Sequence, residues 1–386
     1  MSKQPILIIC DSLPGTLTST GSMVDSLRLE FEVLGYDVRL AGIGSEPQVR
    51  GQELTVYSPW LKSRHVSVRA LAELGASIWL GIRLLLSLLT RRNSAPGLVV
   101  LFVPSLFLCL PAWMVKRAVK AKTYLVQRDI VPDWMVVCGQ VRRGLGVSAL
   151  YALKNFCLKH ADHIGIECKE NMEFFPARFR HKISVLHNWR NFSRDVHSGP
   201  ASTDRLIFVY GGRVGHVQGF DRFLRPFAEL RDDRVLLRIY CDERGRSEIA
   251  EMGLSDKALA HIQILPMLPE AEFLAQASNA TFGVVTLAPD MRTHNIPGKM
   301  LAYLAAGIPV FALGPPSSAL GRVVKESEIG CYADARSPDQ IRKKLAQAVG
   351  DLASASRTRQ AVINARRSFG STLAAQMILK SIYGDE

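Results

Sequence analysis

The chain has 386 residues, of which 48% are hydrophobic and 22% are charged, and this composition excludes a disordered or low-complexity protein. The length exceeds the size at which one hydrophobic core usually stops growing, so it predicts two domains. The seven cysteines form no Cys-x-x-Cys pair and no cluster with histidine at metal-ligand spacing, which favours reduced core thiols over disulfides or a metal site.

The net charge of +13 is concentrated in the first half of the chain. Residues 1–195 hold 25 Lys and Arg against 15 Asp and Glu, whereas the remainder holds 23 against 20. This asymmetry indicates an anionic partner for the first half, with a basic solvated surface as the alternative. An anionic membrane surface is favoured over nucleic acid, because the sequence contains no recognisable motif for reading bases.

The first elements in chain order predict a βαβ unit. KQPILIICDS predicts a buried strand, PGTLTSTGSM a loop, VDSLRLEFEVLG a helix and YDVRLAG a second strand. The run PILIIC is too short for a signal peptide, so we expect a cytoplasmic protein. Further strands are predicted at 98–103, 123–127, 163–168 and 182–187. Together these elements predict one doubly wound α/β domain over 1–190.

Residues 66–92 form the most apolar helical pattern of the chain. Its core from Leu74 to Leu89 contains Arg83 and is shorter than the roughly 20 residues that a membrane-spanning helix needs. A helix lying in the membrane interface fits this pattern, because Trp79 and the leucines would enter the interface while the arginines reach anionic headgroups. A core helix of the N-terminal domain is the alternative.

The second half repeats the order of the first. Residues 191–204 lose hydrophobic periodicity and predict a linker. Strands and helices then alternate from LIFVYGG to IPVFAL, which predicts a second Rossmann-like domain over 205–370. The remaining segment, 371–386, predicts a C-terminal helix, and packing back on the N-terminal domain is one option for it.

Two predicted strand-to-helix turns of the second domain combine glycine with a cation. In YGGRVGHVQGF, residues 210–220, glycines would let backbone amides approach phosphate oxygens, and Arg213 suits a diphosphate through bidentate contacts. In IPGKMLAYLAAG, residues 296–307, Lys299 lies at a helix start, where its charge opposes the helix dipole unless an anion binds. Each feature alone has a simpler explanation, a tight turn or a surface lysine. Together they predict a diphosphate site.

This pair of motifs resembles the donor-binding half of glycosyltransferase family 4. The resemblance covers most of the chain, and VQRDIVPDWMVVCG with ADHIGIECKENMEFF resembles the branch that builds bacterial O-antigen, lipopolysaccharide or related surface polysaccharide. It implies an α/β protein of GT-B fold, with two Rossmann-like domains facing each other across a cleft. It also implies retaining transfer of a sugar from a nucleotide-sugar donor. No cofactor beyond that substrate is expected, and no Asp-x-Asp triad of the metal-dependent kind is recognisable.

Carried over residue by residue, the resemblance implies donor contacts in both domains. Arg213 and Lys299 would hold the leaving diphosphate. The full set of implied donor-binding positions is Gly21, Ser22, Gly212, Arg213, Gly215, Gln218, His294, Asn295, Gly298 and Lys299. His294 and Ala302 replace the glutamate pair of many family members, and Gln218 replaces a common lysine, so the resemblance does not fix the donor sugar.

Arg128 and Asp129 follow the strand 123–127, where other family members place a histidine. We expect both to bind the acceptor, and Asp129 could orient or deprotonate the acceptor hydroxyl. An ion pair with Arg128 or a turn cap is the alternative role for Asp129. The predicted catalytic groups are therefore Asp129, Arg213 and Lys299.

The sequence thus predicts a metal-independent glycosyltransferase that acts on a lipid-linked saccharide at the inner face of the cytoplasmic membrane. A sugar-nucleotide epimerase of the same fold is one alternative, since it would convert a nucleotide sugar without an acceptor. A non-catalytic subunit of a polysaccharide assembly complex is another, since it would explain the missing glutamates equally well.

Overall fold

The computed structural model describes residues 3–14, 18–44, 54–63, 65–90, 95–103, 105–137, 139, 141, 144–192, 205–215, 218–291 and 295–384, without the side chains of 352–354. The chain divides into two compact units. Unit 1 comprises Met1–Arg190 and Ser371–Glu386, and unit 2 comprises Asn191–Gly370. Of the predicted linker, only residues 191 and 192 are among the described residues, and His294 also lies outside them.

Unit 1 is built on a parallel sheet, which has seven strands in the described residues. They are β1 (Ile6–Cys10), β2 (Val38–Gly44), β3 (Leu54–Tyr57), β4 (Leu98–Val103), β5 (Lys122–Gln127), β6 (His163–Ile166) and β7 (Ile183–Val185). Their order in the sheet is β3-β2-β1-β4-β5-β6-β7. Both β1 and β4 are buried along their whole length, as expected where helices cover both faces of a parallel sheet. The order reverses between β1 and β4, where open sheets of this type bind ligands beyond the carboxyl ends of the strands.

Five helices of unit 1 precede the second unit in the described residues. They are α1 (Ser19–Val33), α2 (Val66–Thr90), α3 (Cys109–Val119), α4 (Asp133–Val137) and α5 (Leu145–His160). Helix α1 begins earlier than its sequence pattern indicates, because the Thr18 hydroxyl caps it by accepting a hydrogen bond of 3.0 Å from the Gly21 amide. Gly21 and Ser22 therefore lie in the first helical turn, and the prediction that they belong to a loop is wrong.

Helix α2 has 25 residues and packs on β2, β3 and α3. By length and composition alone it is long enough to cross a membrane, so the expectation that the segment is too short to do so is wrong. Only its inner face is buried, at Ala76, Ser77, Leu80, Gly81 and Leu84. The edge strand β3 beside it has only four residues, of which Val56 alone is buried, too few for the alternating pattern by which a strand is predicted.

Unit 2 is built on a second parallel sheet, with six strands in the part of the chain that the structure describes. They are β8 (Leu206–Gly211), β9 (Val235–Cys241), β10 (Ile262–Pro266), β11 (Phe282–Thr286), β12 (Val310–Gly314) and β13 (Gly330–Asp334). Their order is β10-β9-β8-β11-β12-β13, with the reversal between β8 and β11. Phe208 on β8 and Phe282 on β11 stack with ring centroids 5.3 Å apart, so aromatic packing joins the two strands at the switch point.

The described helices of unit 2 connect these strands and cover the sheet. They are α6 (Asp221–Ala228), α7 (Glu243–Ala250), α8 (Asp256–Leu259), α9 (Glu270–Ser278), α10 (Gly298–Ala306), α11 (Ala319–Glu326), α12 (Pro338–Gly350) and α13 (Leu352–Ala365). Helix α10 ends at Gly307, which adopts a left-handed conformation with φ of 72°, as is common at the ends of helices.

The last helix, α14 (Ser371–Tyr383), belongs to unit 1. It packs on α1, and its side chains Ala374, Ala375 and Ile378 join the core around β1 and α1. The Ser371 hydroxyl donates a hydrogen bond of 2.7 Å to the Glu30 carboxylate of α1. The chain therefore returns to unit 1 after completing unit 2.

Candidate functional site

The turn after β8 brings backbone amides to the carboxyl end of the unit 2 sheet. Gly212 has a φ of 110°, a conformation that L side chains rarely adopt. Its amide donates a hydrogen bond of 2.8 Å to the Tyr240 carbonyl of β9, and the Tyr210 hydroxyl donates to the Arg213 carbonyl. These bonds fix the turn close to the sheet, with the Arg213 side chain exposed beyond it.

Lys299, in the first turn of α10, lies over this glycine turn. A Cβ atom on Gly212 would be 3.3 Å from Cε and 3.4 Å from Nζ of Lys299. The Lys299 ammonium is 5.0 Å from the ring centroid of Tyr210, within the range of a cation–π interaction. Pro297 precedes α10, and no side chain caps the helix. The helix N-terminus, Lys299 and the glycine turn thus meet at one place, as the sequence motifs predict.

Helix α10 is seated against the sheet by a glycine. A Cβ atom on Gly283 of β11 would lie 2.1 Å from Cγ of Tyr303, so the aromatic ring occupies the space that a side chain would fill. The Tyr303 hydroxyl accepts a hydrogen bond of 3.2 Å from the Gly211 amide. This contact sets the height of α10 above the sheet and therefore the position of Lys299.

We expect Gly283→Ala to destabilise unit 2 by about 1 to 3 kcal/mol, because a methyl group there overpacks the core against a buried ring. Denaturant unfolding of the purified protein measures this effect. Gly350→Ala, at the end of α12, is the matched control, because nothing lies within 4 Å of the methyl group that it adds. Equal stability of the two variants would contradict the proposed packing role.

The electrostatics of this place favour an anion. Burial, together with the charge of Arg213, lowers the pKa of Lys299 to about 8. A lysine that is desolvated beside a second cation is stabilised when a negative group binds between them. A bound phosphate would also accept hydrogen bonds from the first amides of α10 and interact favourably with the helix dipole. The arrangement therefore suits a phosphate or diphosphate group.

The remaining predicted donor residues of unit 2 lie along the same turn and helix. The Gln218 amide oxygen is 3.1 Å from the position of a Cβ atom on Gly215, and the Gln218 backbone amide donates to the Gly215 carbonyl at 3.1 Å. Glu248, which pairs with Arg244 at 3.0 Å, also approaches Gly215. Asn295 is half-buried just before α10, and Gly298 is exposed at its first residue.

Unit 1 gathers its predicted residues at the carboxyl end of its own sheet. The Arg128 guanidinium donates hydrogen bonds of 2.8 Å to the Thr20 hydroxyl and 3.1 Å to the Asn188 amide oxygen. Since Thr20 precedes Gly21 and Ser22, these bonds join the start of α1 to the end of β5. Gly21 is buried and Ser22 is exposed.

Asp129 keeps an exposed surface at this edge. Its backbone carbonyl accepts a hydrogen bond of 2.6 Å from the side-chain amide of Gln127. The surrounding protein desolvates its carboxyl group and raises the pKa of Asp129, while the neighbouring Arg128 charge acts in the opposite direction. An accessible carboxylate with a raised pKa is suited to accept a proton or a hydrogen bond.

Two residues of these sites were not predicted. Tyr210, whose ring supports Lys299, belongs to a strand pattern that carries no signal of a site. Asp11, directly after β1, is close enough to Asp129 and Glu73 for their charges to raise its pKa. Its place at the end of a buried strand was the available signal. In the described residues, no group of three or more His, Cys, Asp or Glu side chains could hold a metal ion.

Comparison with known proteins gives one relative by sequence. No protein-family model matches the chain. WcaI of Escherichia coli strain K12, which is named as a colanic acid biosynthesis glycosyl transferase, is 22% identical over 248 residues. The match covers 57% of this chain and 58% of WcaI, so the chain spans little more than half the length of this relative.

Solved structures resemble the whole chain. Sucrose-phosphate synthase from Thermosynechococcus elongatus has a TM-score of 0.70 at 15% identity, covering 97% of both chains. HepE of Anabaena, in complex with UDP, has a TM-score of 0.69 at 9% identity, covering 98% of this chain and 99% of its own. The lipopolysaccharide outer core galactosyltransferase WaaB has a TM-score of 0.65 at 13% identity, covering 98% and 99%. The two Rossmann-like domains with parallel sheets, predicted from the sequence, are confirmed, and the chain has the GT-B glycosyltransferase fold.

Proposed function

We propose that this protein is a glycosyltransferase that moves a sugar from a nucleotide-sugar donor to a lipid-linked saccharide. The observation that carries this proposal is the meeting of Lys299, Arg213 and the α10 N-terminus over the glycine turn after β8. This arrangement matches the need of a departing diphosphate for preorganised positive charge. We further propose that the transfer retains the configuration of the sugar, as the resemblance to glycosyltransferase family 4 implies.

The transition state of such a transfer carries positive charge on the sugar ring and growing negative charge on the leaving diphosphate. Lys299 and Arg213 would supply the compensating charge without a metal ion, and the backbone amides around Gly212, Gly215 and Gly298 would donate hydrogen bonds to the phosphate oxygens. His294 and Asn295 are proposed to contact the transferred sugar, and Gln218 the nucleotide. Gly21 and Ser22 of unit 1 are proposed as further donor-binding residues, as the resemblance to glycosyltransferase family 4 implies.

The acceptor is assigned to unit 1. Arg128 and Asp129 lie at the carboxyl end of its sheet, where Asp129 would orient the attacking hydroxyl. The names of the similar proteins support a surface polysaccharide as the product: WcaI is named for colanic acid biosynthesis and WaaB for the lipopolysaccharide outer core. The structures of HepE with UDP and UDP-glucose support a nucleotide sugar as the donor and UDP as the probe of the proposed diphosphate site. We propose that the acceptor is a lipid-linked saccharide of O-antigen or lipopolysaccharide biosynthesis.

We propose that the protein binds the inner surface of the cytoplasmic membrane, and the exposed face of α2 supports this. Ten of the eighteen large apolar side chains that are exposed in the described residues lie between 57 and 89. Those on α2 repeat at helical spacing, with Leu71, Ile78, Trp79, Ile82, Leu86 and Leu89 exposed by 38 to 69%. Arg69 beside them is exposed, and the Arg83 guanidinium donates to the Thr55 carbonyl at 3.0 Å. An apolar helical stripe with adjacent cations fits an anionic lipid surface.

The proposed activity is tested by incubating the purified protein with bacterial membranes, which supply the acceptor, and a panel of radiolabelled nucleotide sugars. We expect label from one donor to enter the lipid-linked fraction, and we expect much less with Lys299→Met. Conversion of a donor without any acceptor would favour an epimerase. Normal polymer synthesis in cells that carry only Lys299→Ala would favour a non-catalytic subunit. Transfer from none of the donors would overturn the proposal.

A further inference from the structure

Asp11 lies at the switch point of the unit 1 sheet and is not among the residues of the proposed transfer site. It follows β1 directly, and Ser105 lies just beyond the adjacent strand β4. The strand order reverses between these two strands, so the connections after them diverge and leave a crevice between their carboxyl ends. The Ser105 hydroxyl donates a hydrogen bond of 3.1 Å to the Glu73 carboxylate of α2, which places Glu73 near the carboxyl end of β4.

The Asp11 carboxyl group has a buried oxygen without a hydrogen-bond partner. Its Oδ1 atom is inaccessible to solvent and accepts no hydrogen bond from any of the described residues. A buried acceptor in this state is costly, because it has lost its bond to water and gained none from the protein. Burial raises the pKa of Asp11 to about 6; the Ser12 hydroxyl lowers it, and the charges of Glu73 and Asp129 raise it further.

The groups that face Asp11 restrict the ligand that could satisfy this oxygen. Among the described residues, the charges that act on Asp11 are the carboxylates of Glu73 and Asp129, which would repel an anion. The neighbouring cations are engaged elsewhere: Arg69 lies 3.9 Å from the Glu73 carboxylate, and Arg128 bonds with Thr20 and Asn188. A neutral molecule with hydroxyl donors, such as a saccharide, complements this acidic crevice.

We propose that the half-buried Asp11 side chain turns Oδ1 into the crevice when the acceptor saccharide binds, and that Oδ1 then accepts a hydrogen bond from one of the saccharide hydroxyl groups. This inference rests on the proposed glycosyltransferase function and deepens it. Asp11 would anchor the acceptor in the crevice between β1 and β4, and Asp129, beyond the next strand, would face the reacting hydroxyl. The desolvated carboxylate is then a feature that the free protein tolerates because the acceptor uses it.

The test compares Asp11→Leu with the wild-type protein in the transfer assay. Leucine has a similar size and no acceptor atom, so we expect the KM for the acceptor to rise about 10- to 100-fold, as for loss of a hydrogen bond to a charged group. The KM for the nucleotide sugar and the affinity for UDP should not change. Asp11→Asn, which keeps an acceptor oxygen, should restore part of the affinity. Asp37→Leu, just before β2 at the amino-terminal end of the strands of the same sheet, is the matched control and should leave both KM values unchanged.

Two further measurements separate binding from a structural role. Between the pKa of an unfolded aspartate, about 4, and that of Asp11, the folded state binds more protons, so stability is lost as pH rises through this window. At neutral pH, Asp11→Leu should therefore melt no lower than the wild-type protein. The wild-type KM for the acceptor should rise as pH falls below about 6, where the carboxylate becomes protonated. This rise should persist in Asp129→Asn and vanish in Asp11→Leu.

The outcomes distinguish this inference from the function on which it rests. If the wild-type protein binds and transfers no nucleotide sugar, the proposed function fails and the inference fails with it. If the wild-type protein transfers sugar and Asp11→Leu keeps the wild-type KM for the acceptor, only the inference is overturned. A stimulation by Mg²⁺ that disappears in Asp11→Leu would identify a cation site instead and would also overturn it.

Discussion

Replacing Lys299 by methionine is expected to weaken the binding of UDP and to slow sugar transfer by about 100- to 1,000-fold, the range found when one preorganised donor to a developing anion is removed. The lysine is half-buried between the glycine turn and the ring of Tyr210. In such a place water screens its interaction with phosphate weakly, so the loss of its charge is felt strongly. Calorimetric titration with UDP and initial rates of transfer measure the two effects.

We also expect the affinity for UDP to depend on pH. Because burial and Arg213 lower the pKa of Lys299 to about 8, the free protein loses this charge as pH rises through that value. A bound diphosphate favours the protonated lysine, so binding above this pH must take up a proton and becomes weaker. Titrations in buffers of different ionisation enthalpy detect this proton uptake. Lys299→Met should show neither the uptake nor the fall in affinity.

The control for Lys299→Met is Lys257→Met, which makes the same chemical change on the exposed surface of α8. It should leave UDP binding and transfer unchanged. Lys299→Met itself should fold at least as stably as the wild-type protein, because it removes a desolvated charge from the free enzyme. Wild-type affinity for UDP in Lys299→Met would refute the assigned phosphate site.

Placing glutamate at both Trp79 and Leu86 on α2 is expected to reduce binding to vesicles of phosphatidylethanolamine and phosphatidylglycerol by at least about 100-fold. The two side chains are 52% and 54% exposed, so their replacement removes apolar surface that would enter the lipid without disturbing the core. Each apolar side chain that no longer enters the lipid reduces the binding free energy by about 1 to 2 kcal/mol. The anionic surface also repels the added carboxylates. Co-sedimentation with vesicles measures the change.

The matched control carries the same two charges on unit 2. Leu259 and Met267 are exposed apolar residues outside α2, and Leu259→Glu with Met267→Glu should bind vesicles as the wild-type protein does. Transfer to a soluble acceptor should be equal in all three proteins, since neither Trp79 nor Leu86 is among the proposed site residues. Equal vesicle binding by the α2 variant and the wild-type protein would refute the membrane role of this face.

Some residues of the candidate site could be predicted because their signals are local. The glycine turn and the Pro-Gly-Lys sequence at the start of α10 each indicate, within a few residues, a strand-to-helix turn that carries free backbone amides and a cation. The glycine and serine content around Gly21 and Ser22 predicts a loop, whereas capping by Thr18 starts α1 before them. A cap depends on one hydrogen bond, and composition alone does not reveal which residue makes it.

The sequence by itself determined the alternation of buried strands and helices, because strands that are buried on both faces must be apolar throughout. It also predicted that Arg213 and Lys299 belong to one phosphate site, since both lie at strand-to-helix turns of the same domain. Only the tertiary structure decided that Lys299 lies against Tyr210, that one carboxyl oxygen of Asp11 is buried, that one face of α2 stays exposed and that α14 returns to unit 1. Each of these depends on burial between segments far apart in the chain, and burial sets both the pKa of a charge and the cost of an unpaired acceptor.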